Sequence, residues 1–450
     1  MTDRAGTDQQ ARHPEEDAQE KSQSQSQSQS QSQSQSQSQG NAQGNAQGNA
    51  QGNAQAQENT QENARAQDDA QRLRRWNAWR AAERVLSRPP MHLPLGERLA
   101  ALAAGAGAVT DLGRPADIYG NGVVAELERR VADLLGMEAA AFFPTGTMAQ
   151  QVALRCWAGR TGNSTVALHP LAHPEMHERG ALEAVSGLRT VHPTSEPRLP
   201  TAQEIRDFAE PFGTMMLELP LRDAGFVLPT WEELVAVVAA ARERDAVVHL
   251  DGARLWECAP HFGRGLPEIA ALADSVYVSF YKTLGGISGA ALAGPESLIE
   301  EARTWRHRYG GQLFQQFPAA LAALIGLEQE LPSLPSCVAH AKVVAGALAE
   351  GFRAAGAGWF RVYPEPPHTH QFQVWLPYGA DVLTEAAVRQ AEETGVSLFR
   401  DWHPAAAGPP GVSFTEVTVD REGLKWTAED VREAVAEFMN RVVAQVRSSD

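Results

Sequence analysis

The sequence predicts an α/β fold. We expect a large domain with a mostly parallel sheet of about seven strands and helices on both faces, followed by a smaller α+β domain. Short apolar runs without polar alternation alternate with helical segments, which is typical of strands covered on both sides. After Pro332–Pro335 the pattern changes to a long helix, fewer strands and a closing helix. These two observations indicate two architectures within one chain.

The same changes in composition set the expected domain boundaries. We expect a low-complexity tail over residues 1–71, a helical segment over 72–110, a large domain over 111–332 and a small domain over 333–450. The tail holds nine Ser-Gln pairs, four Gly-Asn-Ala-Gln repeats and almost no large apolar side chain. Because so little apolar surface cannot offset the entropy of ordering the chain, we predict that the tail is disordered.

A basic segment, Arg72–Arg88, follows the tail. Leu73, Trp76 and Trp79 recur at helical spacing, and we expect Pro89-Pro90 to end the helix. The helix is expected to dock on the body of the protein or on a partner subunit. Binding of a polyanion is the alternative function for this segment.

Seven strands are predicted in the large domain. They are Ala139–Phe143, Thr165–Leu168, Leu188–Val191, Thr214–Leu219, Ala246–Leu250, Ser275–Phe280 and Ala290–Ala293. Apolar periodicity predicts a helix over Val123–Leu135 that ends at Gly136, and the capping box of Thr230 and Glu233 predicts the start of another. The small domain is expected to contain a helix over Val338–Ala355, a strand over Gln371–Leu376, a helix near Thr384–Thr394, a strand over Val412–Val419 and a helix from Thr427.

Charge, hydropathy and cysteine usage exclude several classes of function. The formal net charge is −16, of which −6 lies in residues 1–71 and −10 in the rest, whereas a general nucleic-acid binder needs a basic surface. No apolar run approaches the roughly 18 residues of a membrane span, and the polar start Met1–Arg4 does not resemble a secretory signal. Three scattered cysteines suit a reducing compartment, so we expect a cytoplasmic protein.

Polar residues that follow three of the predicted strands carry the expected chemistry, because open α/β sheets bind ligands at strand ends. In Pro144–Met148 a strand runs into a helix through small residues. Backbone N–H groups there, with the hydroxyls of Thr145 and Thr147, are suited to cradle a phosphate, although many such turns serve only as helix caps.

The second and third clusters supply an acid and an amine. In His249–Arg254, Asp251 and Arg254 form either a functional pair or a structural ion pair. Lys282 follows an apolar strand and precedes Gly285-Gly286, a setting that favours a desolvated, reactive amine, with a buried structural lysine as the alternative. Together, a phosphate cradle, a carboxylate and a strand-end lysine are what pyridoxal phosphate (PLP) requires.

The chain resembles the threonine aldolase and β-eliminating lyase family of PLP-dependent enzymes of fold type I. The matching segments are Asp117–Gly120, Pro144–Ala149, His173 with Glu178, His249–Arg254 and Lys282–Gly285. The resemblance covers about residues 111–330 and, more loosely, the small domain. It implies a PLP-dependent transferase-like fold and a homodimer or homotetramer with active sites at the subunit interface.

The resemblance also implies roles for individual residues. Lys282 would form the Schiff base with PLP, Asp251 would pair with the pyridine nitrogen, and His173 would stack on the ring near the substrate β-hydroxyl. The remaining implied roles are Thr145, Gly146 and Thr147 at the cofactor phosphate, Arg254 at the cofactor or the substrate carboxylate, and Tyr119 near the site, across a subunit interface.

His173 belongs to a histidine series that requires a metal site to be considered. His169, His173 and His177 follow one another at four-residue steps, which on a continuous helix would place the three rings on one face. Pro170 and Pro174 interrupt such a helix. We therefore expect no metal, with a ring-stacking or a merely structural His173 as the two remaining interpretations.

Several departures from the family pattern concern substrate recognition. Glu218–Arg222 stands where many aldolases have Glu-Asn-Thr-His, Gly310–Phe314 replaces Gly-Gly-Gly-Met-Arg, Ala108–Asp111 matches only part of Arg-Ser-Asp-Thr, and Val412–Thr415 lacks a late arginine. Arg222, Arg306 and Arg308 are the candidate replacements, and we expect Arg222 and Arg308 to bind substrate.

The expected function is PLP-dependent carbon–carbon bond cleavage. Retro-aldol cleavage of a threonine-like β-hydroxy-α-amino acid would yield glycine and an aldehyde, with His173 as the general base. β-Elimination with deamination, or racemisation, of a related amino acid is the alternative, because all these reactions begin in the same way. A non-catalytic binding protein on the same fold is a further alternative, and the intact Lys282 argues against it.

Overall fold

Residues 65–405 and 410–449 are described by the computed structural model. Residues 65–71, which we assigned to the low-complexity tail, are helical and belong to a helix over residues 65–81. The prediction of disorder for residues 1–64 lies outside the described residues. Among the described residues, no helix combines the length and the apolar character needed to cross a membrane.

Helices account for much of the chain. They are α1 (residues 65–81), α2 (Leu95–Val109), α3 (Val123–Leu135), α4 (Gly146–Thr161), α5 (His173–His177), α6 (Ala181–Ser186), α7 (Ala202–Asp207), α8 (Trp231–Arg242), α9 (Ala259–Phe262), α10 (Leu266–Ala270), α11 (Glu296–Arg308), α12 (Phe317–Gln329), α13 (Leu334–Ala354), α14 (Ala380–Thr394) and α15 (Ala428–Ser449). The predicted capping box at Thr230 is present, and Gly136 ends α3 in the left-handed conformation at φ 63°.

The strands form three sheets. They are β1 (Arg84–Val85), β2 (Ala139–Phe143), β3 (Thr165–Ala167), β4 (Arg189–Val191), β5 (Thr214–Glu218), β6 (Val247–Gly252), β7 (Ser275–Ser279), β8 (Ala290–Gly294), β9 (Arg361–Tyr363), β10 (Gln371–Leu376), β11 (Val396–Ser397), β12 (His403–Pro404) and β13 (Ser413–Thr418). The large sheet has the order β2-β8-β7-β6-β5-β3-β4, and β8 runs antiparallel to both of its neighbours. The other pairs in it are parallel. The predicted α/β fold with a mostly parallel, seven-stranded sheet is therefore confirmed.

Both faces of the large sheet are covered, which explains the continuous apolar character of its strands. Phe142 of β2 packs in a core with residues of α3, α8 and α12, whereas Phe143 packs in a second core with residues of α4 and α11. Successive residues of β7 alternate in the same way, since Val276 and Val278 belong to the first core and Tyr277 to the second. The sheet is thus the middle of three layers.

A four-stranded antiparallel sheet, of order β12-β13-β10-β9, forms the second unit with α13, α14 and α15. Its core contains Phe372 of β10, Val417 of β13 and Phe438 of α15. The sheet alternates buried and partly exposed residues along β13, as expected when only one face is covered. This unit matches the predicted α+β region after Pro335.

The N-terminal basic helix ends earlier than expected. We predicted that it would continue to Pro89-Pro90, but α1 ends at residue 81. The backbone N–H groups of Glu83 and Arg84 donate to the carbonyl of Gly395, and β1 then pairs in parallel with β11. Pairing with a strand from another part of the fold satisfies these backbone groups in place of another helical turn. Ala78 packs against α14, in agreement with docking on the body.

Candidate active site

The three predicted clusters meet at one edge of the large sheet. β2, β5, β6 and β7 all run in the same direction, so their carboxyl ends lie together. Glu218 at the end of β5 lies opposite Asp251 at the end of β6. Thr145 follows β2, and Lys282 follows β7. The fold therefore places the expected phosphate cradle, carboxylate and amine along one edge, as in other open α/β sheets.

The phosphate cradle is the start of α4. The Thr145 hydroxyl accepts a hydrogen bond of 3.2 Å from the Met148 N–H and caps the helix. Gly146 approaches buried Tyr277 so closely that a Cβ at this position would lie 2.2 Å from the Tyr277 hydroxyl oxygen. A larger residue at this position would force the Tyr277 ring or the start of α4 to move. The first N–H groups of a helix lack partners within the helix, and they favour an anion.

Asp251 is buried at the end of β6, with 1% of its surface exposed. Its Oδ1 atom accepts a hydrogen bond of 3.1 Å from the Ala253 N–H. Burial raises the pKa of Asp251, while the charges of Lys282 and His173 act in the opposite direction. A buried carboxylate at a strand end is suited to pair with a protonated ring nitrogen.

Lys282 lies among these acids in a desolvated position. Its pKa is lowered to about 8, chiefly by burial and then by the charge of Arg254, while the charge of Asp251 opposes this shift. A substantial fraction of the amine is therefore neutral in mildly alkaline solution. A neutral amine is the form that attacks an aldehyde carbon.

Glu218 organises the backbone around this cluster. Its Oε2 accepts a hydrogen bond of 2.7 Å from the His173 N–H, and its Oε1 accepts one of 3.2 Å from the Arg222 N–H. Burial, followed by the charge of Asp251, raises its pKa to about 7. The sequence analysis named Glu218 only as part of a departure from the family pattern. Its position at the end of a predicted strand could have identified it as a site residue.

The three histidines of the series have different surroundings. The His173 Nδ1 atom lies 3.4 Å from Oε1 of buried Glu178, and the Nε2 atom of His177 lies 2.6 Å from Asp223 Oδ2. The Nε2 atom of His169 lies 2.6 Å from the carbonyl oxygen of Glu196. Within the described ranges, no group of three or more His, Cys, Asp or Glu side chains is arranged to hold a metal ion.

A second buried cluster adjoins Lys282 and was not anticipated. Fully buried Glu257 accepts a hydrogen bond from the Thr283 hydroxyl and lies 3.9 Å from the His370 ring. Burial raises the pKa of Glu257 to about 7, with Arg254 opposing, and lowers that of His370 to about 3. An acid within the apolar segment Leu255–Cys258 could have been recognised from the sequence as a buried carboxylate. The sequence around His370 contains no comparable sign that this histidine is buried beside the site.

A cavity of about 890 Å³ opens beside Lys282. Its wall includes His173, Arg222, Arg254 and Lys282 of the predicted site, together with His177, Tyr281, Thr283, His370 and Glu416. Arg222 Nη2 lies 2.9 and 3.0 Å from the two carboxylate oxygens of Glu416, so the guanidinium already has an acidic partner.

The other predicted residues lie elsewhere. Tyr119 is 55% exposed and packs edge-on against Phe314, and Arg308 lies over the Trp305 ring. Neither belongs to the residues that line this cavity. Arg306 is buried and its Nη1 lies 3.1 Å from Glu128 Oε1, which is a structural ion pair.

The residues present fit PLP. Arg254 Nε and both carboxylate oxygens of Glu178 are buried without a hydrogen-bond partner in the described part of the chain, so the site has unused polar groups. The glycine at position 146 keeps the helix start open, and Lys282 and Asp251 supply the amine and the carboxylate. These residues would hold the phosphate, the aldehyde carbon and the ring nitrogen, respectively.

Comparison with known proteins agrees with the geometry. Residues 113–370 match the beta-eliminating lyase family. The low specificity L-threonine aldolase of Escherichia coli (strain K12) is 31% identical over 252 residues, which are 54% of this chain and 74% of that protein. A solved structure of a candidate L-allo-threonine aldolase from Listeria monocytogenes EGD-E is 34% identical with a TM-score of 0.72, covering 81% of this chain and 99% of that one.

A more distant structure shares the fold alone. It is a serine palmitoyltransferase from S. paucimobilis bound to a PLP–myriocin aldimine, 19% identical with a TM-score of 0.54, covering 77% of this chain and 84% of that one. The family match extends over more than half of the chain, and the predicted resemblance is confirmed. The chain therefore belongs to the beta-eliminating lyase family, as a PLP-dependent lyase of the threonine-aldolase kind.

Proposed function

We propose that the protein cleaves the Cα–Cβ bond of a β-hydroxy-α-amino acid and releases glycine and an aldehyde. The observation that carries the proposal is the placement of a histidine, His173, on the same cavity wall as Lys282. Retro-aldol cleavage needs a base at the β-hydroxyl in addition to the amine and the carboxylate that serve PLP. Similarity to L-threonine aldolases over most of their length supports the same reaction.

Each residue has a defined task in this proposal. When bound, PLP supplies an electron sink for the electron pair of the broken bond. Glu178 faces Nδ1 of His173, which leaves Nε2 to take the proton of the β-hydroxyl. Arg254, with an unpartnered Nε in the cavity wall, binds the substrate carboxylate. Asp251 holds the ring nitrogen in its protonated form.

Product analysis tests the reaction. Purified enzyme with PLP is incubated with threonine, phenylserine and serine, and glycine, aldehydes, pyruvate and ammonia are measured. Glycine with acetaldehyde or benzaldehyde supports the proposal. Pyruvate with ammonia would instead assign the β-elimination that the family description also covers, and inverted stereochemistry without cleavage would assign racemisation.

A variant pair tests the cofactor assignment. Lys282→Ala is expected to abolish the visible absorbance of the lysine-bound cofactor and all turnover. Lys342→Ala, on α13 and outside the residues that line the cavity, is the matched control and is expected to keep both. An unchanged spectrum in Lys282→Ala would contradict every PLP-dependent function for this site, and would favour a non-catalytic binding protein.

We also propose a cytoplasmic homodimer or homotetramer in which Tyr119 reaches the site of a neighbouring copy. Tyr119, Ile118, Leu112 and Phe314 are large apolar side chains that are each about half exposed. Exposed apolar side chains of this size support burial against another subunit. Light scattering gives the subunit number, and mixing Tyr119→Ala with Lys282→Ala protein tests sharing, because hybrid oligomers would recover activity.

A further inference from the structure

Besides the charged residues around Lys282, the cavity wall contains a second group of charged residues. They lie on three segments, Leu86–Met91, Ser397–Arg400 and Asp420–Lys425. The charges that act on Lys282 are those of Arg254, Asp251, Glu218 and Arg222, whereas those that act on Arg400 are Asp420, Arg88 and Asp401. We call these two parts of the cavity wall the lysine part and the Arg400 part.

The cavity extends past the residues that would hold PLP and the α-carbon substituents of the substrate. Its volume of about 890 Å³ includes the space around Lys282 that PLP would fill, and its wall continues along Leu86–Met91, Ser397–Arg400 and residues between Asp420 and Lys425. A threonine side chain contributes only a methyl and a hydroxyl group beyond the α-carbon substituents common to all amino acids. The Arg400 part is thus available to a longer side chain.

Four cationic residues line the Arg400 part, and two of them are paired with acids. Arg421 lies 3.5 Å from Glu330, and Lys425 lies 2.7 Å from Glu422. Arg88 and Arg400 are the other two. Within the described ranges, neither guanidinium has a carboxylate oxygen within 4 Å, so their charges lack a direct acidic partner.

Arg400 is held in place by neutral acceptors. Its Nη2 donates to the Ser87 carbonyl, and its Nη1 lies 3.0 Å from Nδ1 of His92. Burial and the charge of Arg400 lower the pKa of His92 to about 4, so the ring is neutral and accepts the hydrogen bond. A largely buried guanidinium whose hydrogen bonds go to neutral groups has no direct counter-ion, so an anionic ligand can provide one.

Arg88 adds a second guanidinium, and Asp420 partly offsets the two. Arg88 Nη2 donates to the Ala82 carbonyl at 2.7 Å. The Asp420 carboxylate is occupied by backbone donors, since it accepts from the Arg88 N–H at 2.6 Å and from the Glu422 N–H at 2.8 Å. Glu330, Asp420 and Glu422 also line this part of the wall, and the charge of Asp401, which does not line it, acts on Arg400 as well. A carboxylate ligand is therefore expected at Arg88 and Arg400, the two guanidinium groups that lack a direct acidic partner.

We propose that Arg400, assisted by Arg88, binds a carboxylate on the side chain of the substrate, so that the enzyme prefers a β-hydroxy-α-amino acid with a second acidic group. This inference rests on the proposed function. The two anions already expected in the site have other partners, since the helix start at Gly146 serves the PLP phosphate and Arg254 serves the α-carboxylate. The Arg400 part is therefore left for the side chain.

The test compares two compounds of the same shape that differ in charge. The PLP-loaded enzyme is assayed with 4-carboxyphenylserine and with 4-carbamoylphenylserine, and the binding of both is measured by calorimetry. We expect kcat/KM for the carboxylate to be higher by roughly tenfold or more. Arg400→Gln is expected to abolish this preference, Arg400→Lys to keep part of it, and the exposed Arg353→Gln to keep all of it.

The outcomes separate this inference from the reaction itself. Equal kcat/KM for both compounds in the wild type would overturn the inference and leave the aldol reaction standing. An equal loss for both compounds in Arg400→Gln would also overturn it, because Arg400 would then bind a group that both compounds share. If neither compound is cleaved but calorimetry shows an Arg400-dependent preference for the carboxylate, the subsite stands and the reaction fails. Should Arg400→Gln not fold, Arg88→Gln is expected to weaken the preference severalfold, and an unchanged preference would overturn the inference.

Discussion

The carboxylate of Glu218 accepts a hydrogen bond of 2.7 Å from the backbone N–H of His173, which ties the end of β5 to the start of α5. The second oxygen of Glu218 holds the Arg222 N–H at 3.2 Å. In this chain, one buried acid therefore positions both the proposed general base and an arginine of the cavity wall.

Replacing Glu218 with glutamine is expected to destabilise the site. An amide has one acceptor oxygen where two N–H groups need acceptors. One buried N–H is therefore left unpaired, which costs about 1–3 kcal/mol. Burial also raises the pKa of Glu218 to about 7, so at pH 8 the ionised carboxylate itself costs stability, and its removal offsets the unpaired N–H in the free energy of unfolding. The informative measurement is therefore kcat, which should fall about tenfold at pH 8 as His173 moves. Exposed Glu97→Gln is the control, and an unchanged kcat would contradict this role.

Glu178 is expected to act on catalysis through His173. Glu178→Gln removes the negative charge that lies 3.4 Å from Nδ1, so the ring is a weaker base for the β-hydroxyl proton. We expect kcat to fall, with a rise of about 1–2 kcal/mol in its activation free energy and little change in the KM for substrate. A double-mutant cycle checks the pathway, since the same change in a His173→Ala background should have no further effect.

The close contact between Gly146 and Tyr277 predicts that a second substitution can restore PLP binding to a Gly146 variant. Gly146→Ala places a methyl group 2.2 Å from the Tyr277 hydroxyl oxygen, so the start of α4, which would hold the PLP phosphate, or the Tyr277 ring must shift. The Kd for PLP should rise at least roughly tenfold. Adding Tyr277→Phe removes that oxygen and should recover much of the affinity, because the nearest remaining contact is 3.0 Å. Failure of the double variant to bind better than Gly146→Ala would contradict the steric explanation.

Glu257 predicts a pH-dependent change in stability. Burial raises its pKa from 4.5 to about 7, so the folded protein binds this proton more tightly than the unfolded chain, and stability falls as pH rises through this interval. Glu257→Gln removes the titration and keeps an acceptor for Thr283. In the enzyme without PLP, it should raise the free energy of unfolding by about 1–3 kcal/mol at pH 8 and have little effect at pH 5. An equal effect at both pH values would show that ionisation of Glu257 is not the cause.

The lowered pKa of Lys282 predicts how fast the amine reacts. Only the neutral amine attacks an aldehyde, and its fraction rises as pH passes through about 8. The rate of PLP uptake by the cofactor-free enzyme should therefore increase with a midpoint near pH 8, rather than near 10.5 as for an exposed lysine. Stopped-flow absorbance measures this rate, with Lys282→Ala as the blank. A midpoint near 10.5 would mean that the lysine is solvated.

The prediction from sequence was accurate where the signal is local. Ala139–Phe143 and Gln371–Leu376 were predicted with the bounds that the structure has, because continuous apolar runs bounded by polar or turn-forming residues mark covered strands. The order of the three polar clusters along the chain also indicated the cofactor, since each cluster directly follows a strand. The end of α1 was predicted wrongly because pairing of β1 with β11 depends on residues more than 300 positions away.

The sequence by itself thus determined the fold class and the family, and it predicted which residues would hold PLP. Only the tertiary structure decided the surroundings of the charged groups. It pairs Arg222 with Glu416 from β13, brings His370 beside Glu257, and leaves Arg400 with neutral partners. The physical reason is that strand and helix signals arise from neighbouring residues, whereas the partner of a buried charge is set by the packing of whole elements from distant parts of the chain.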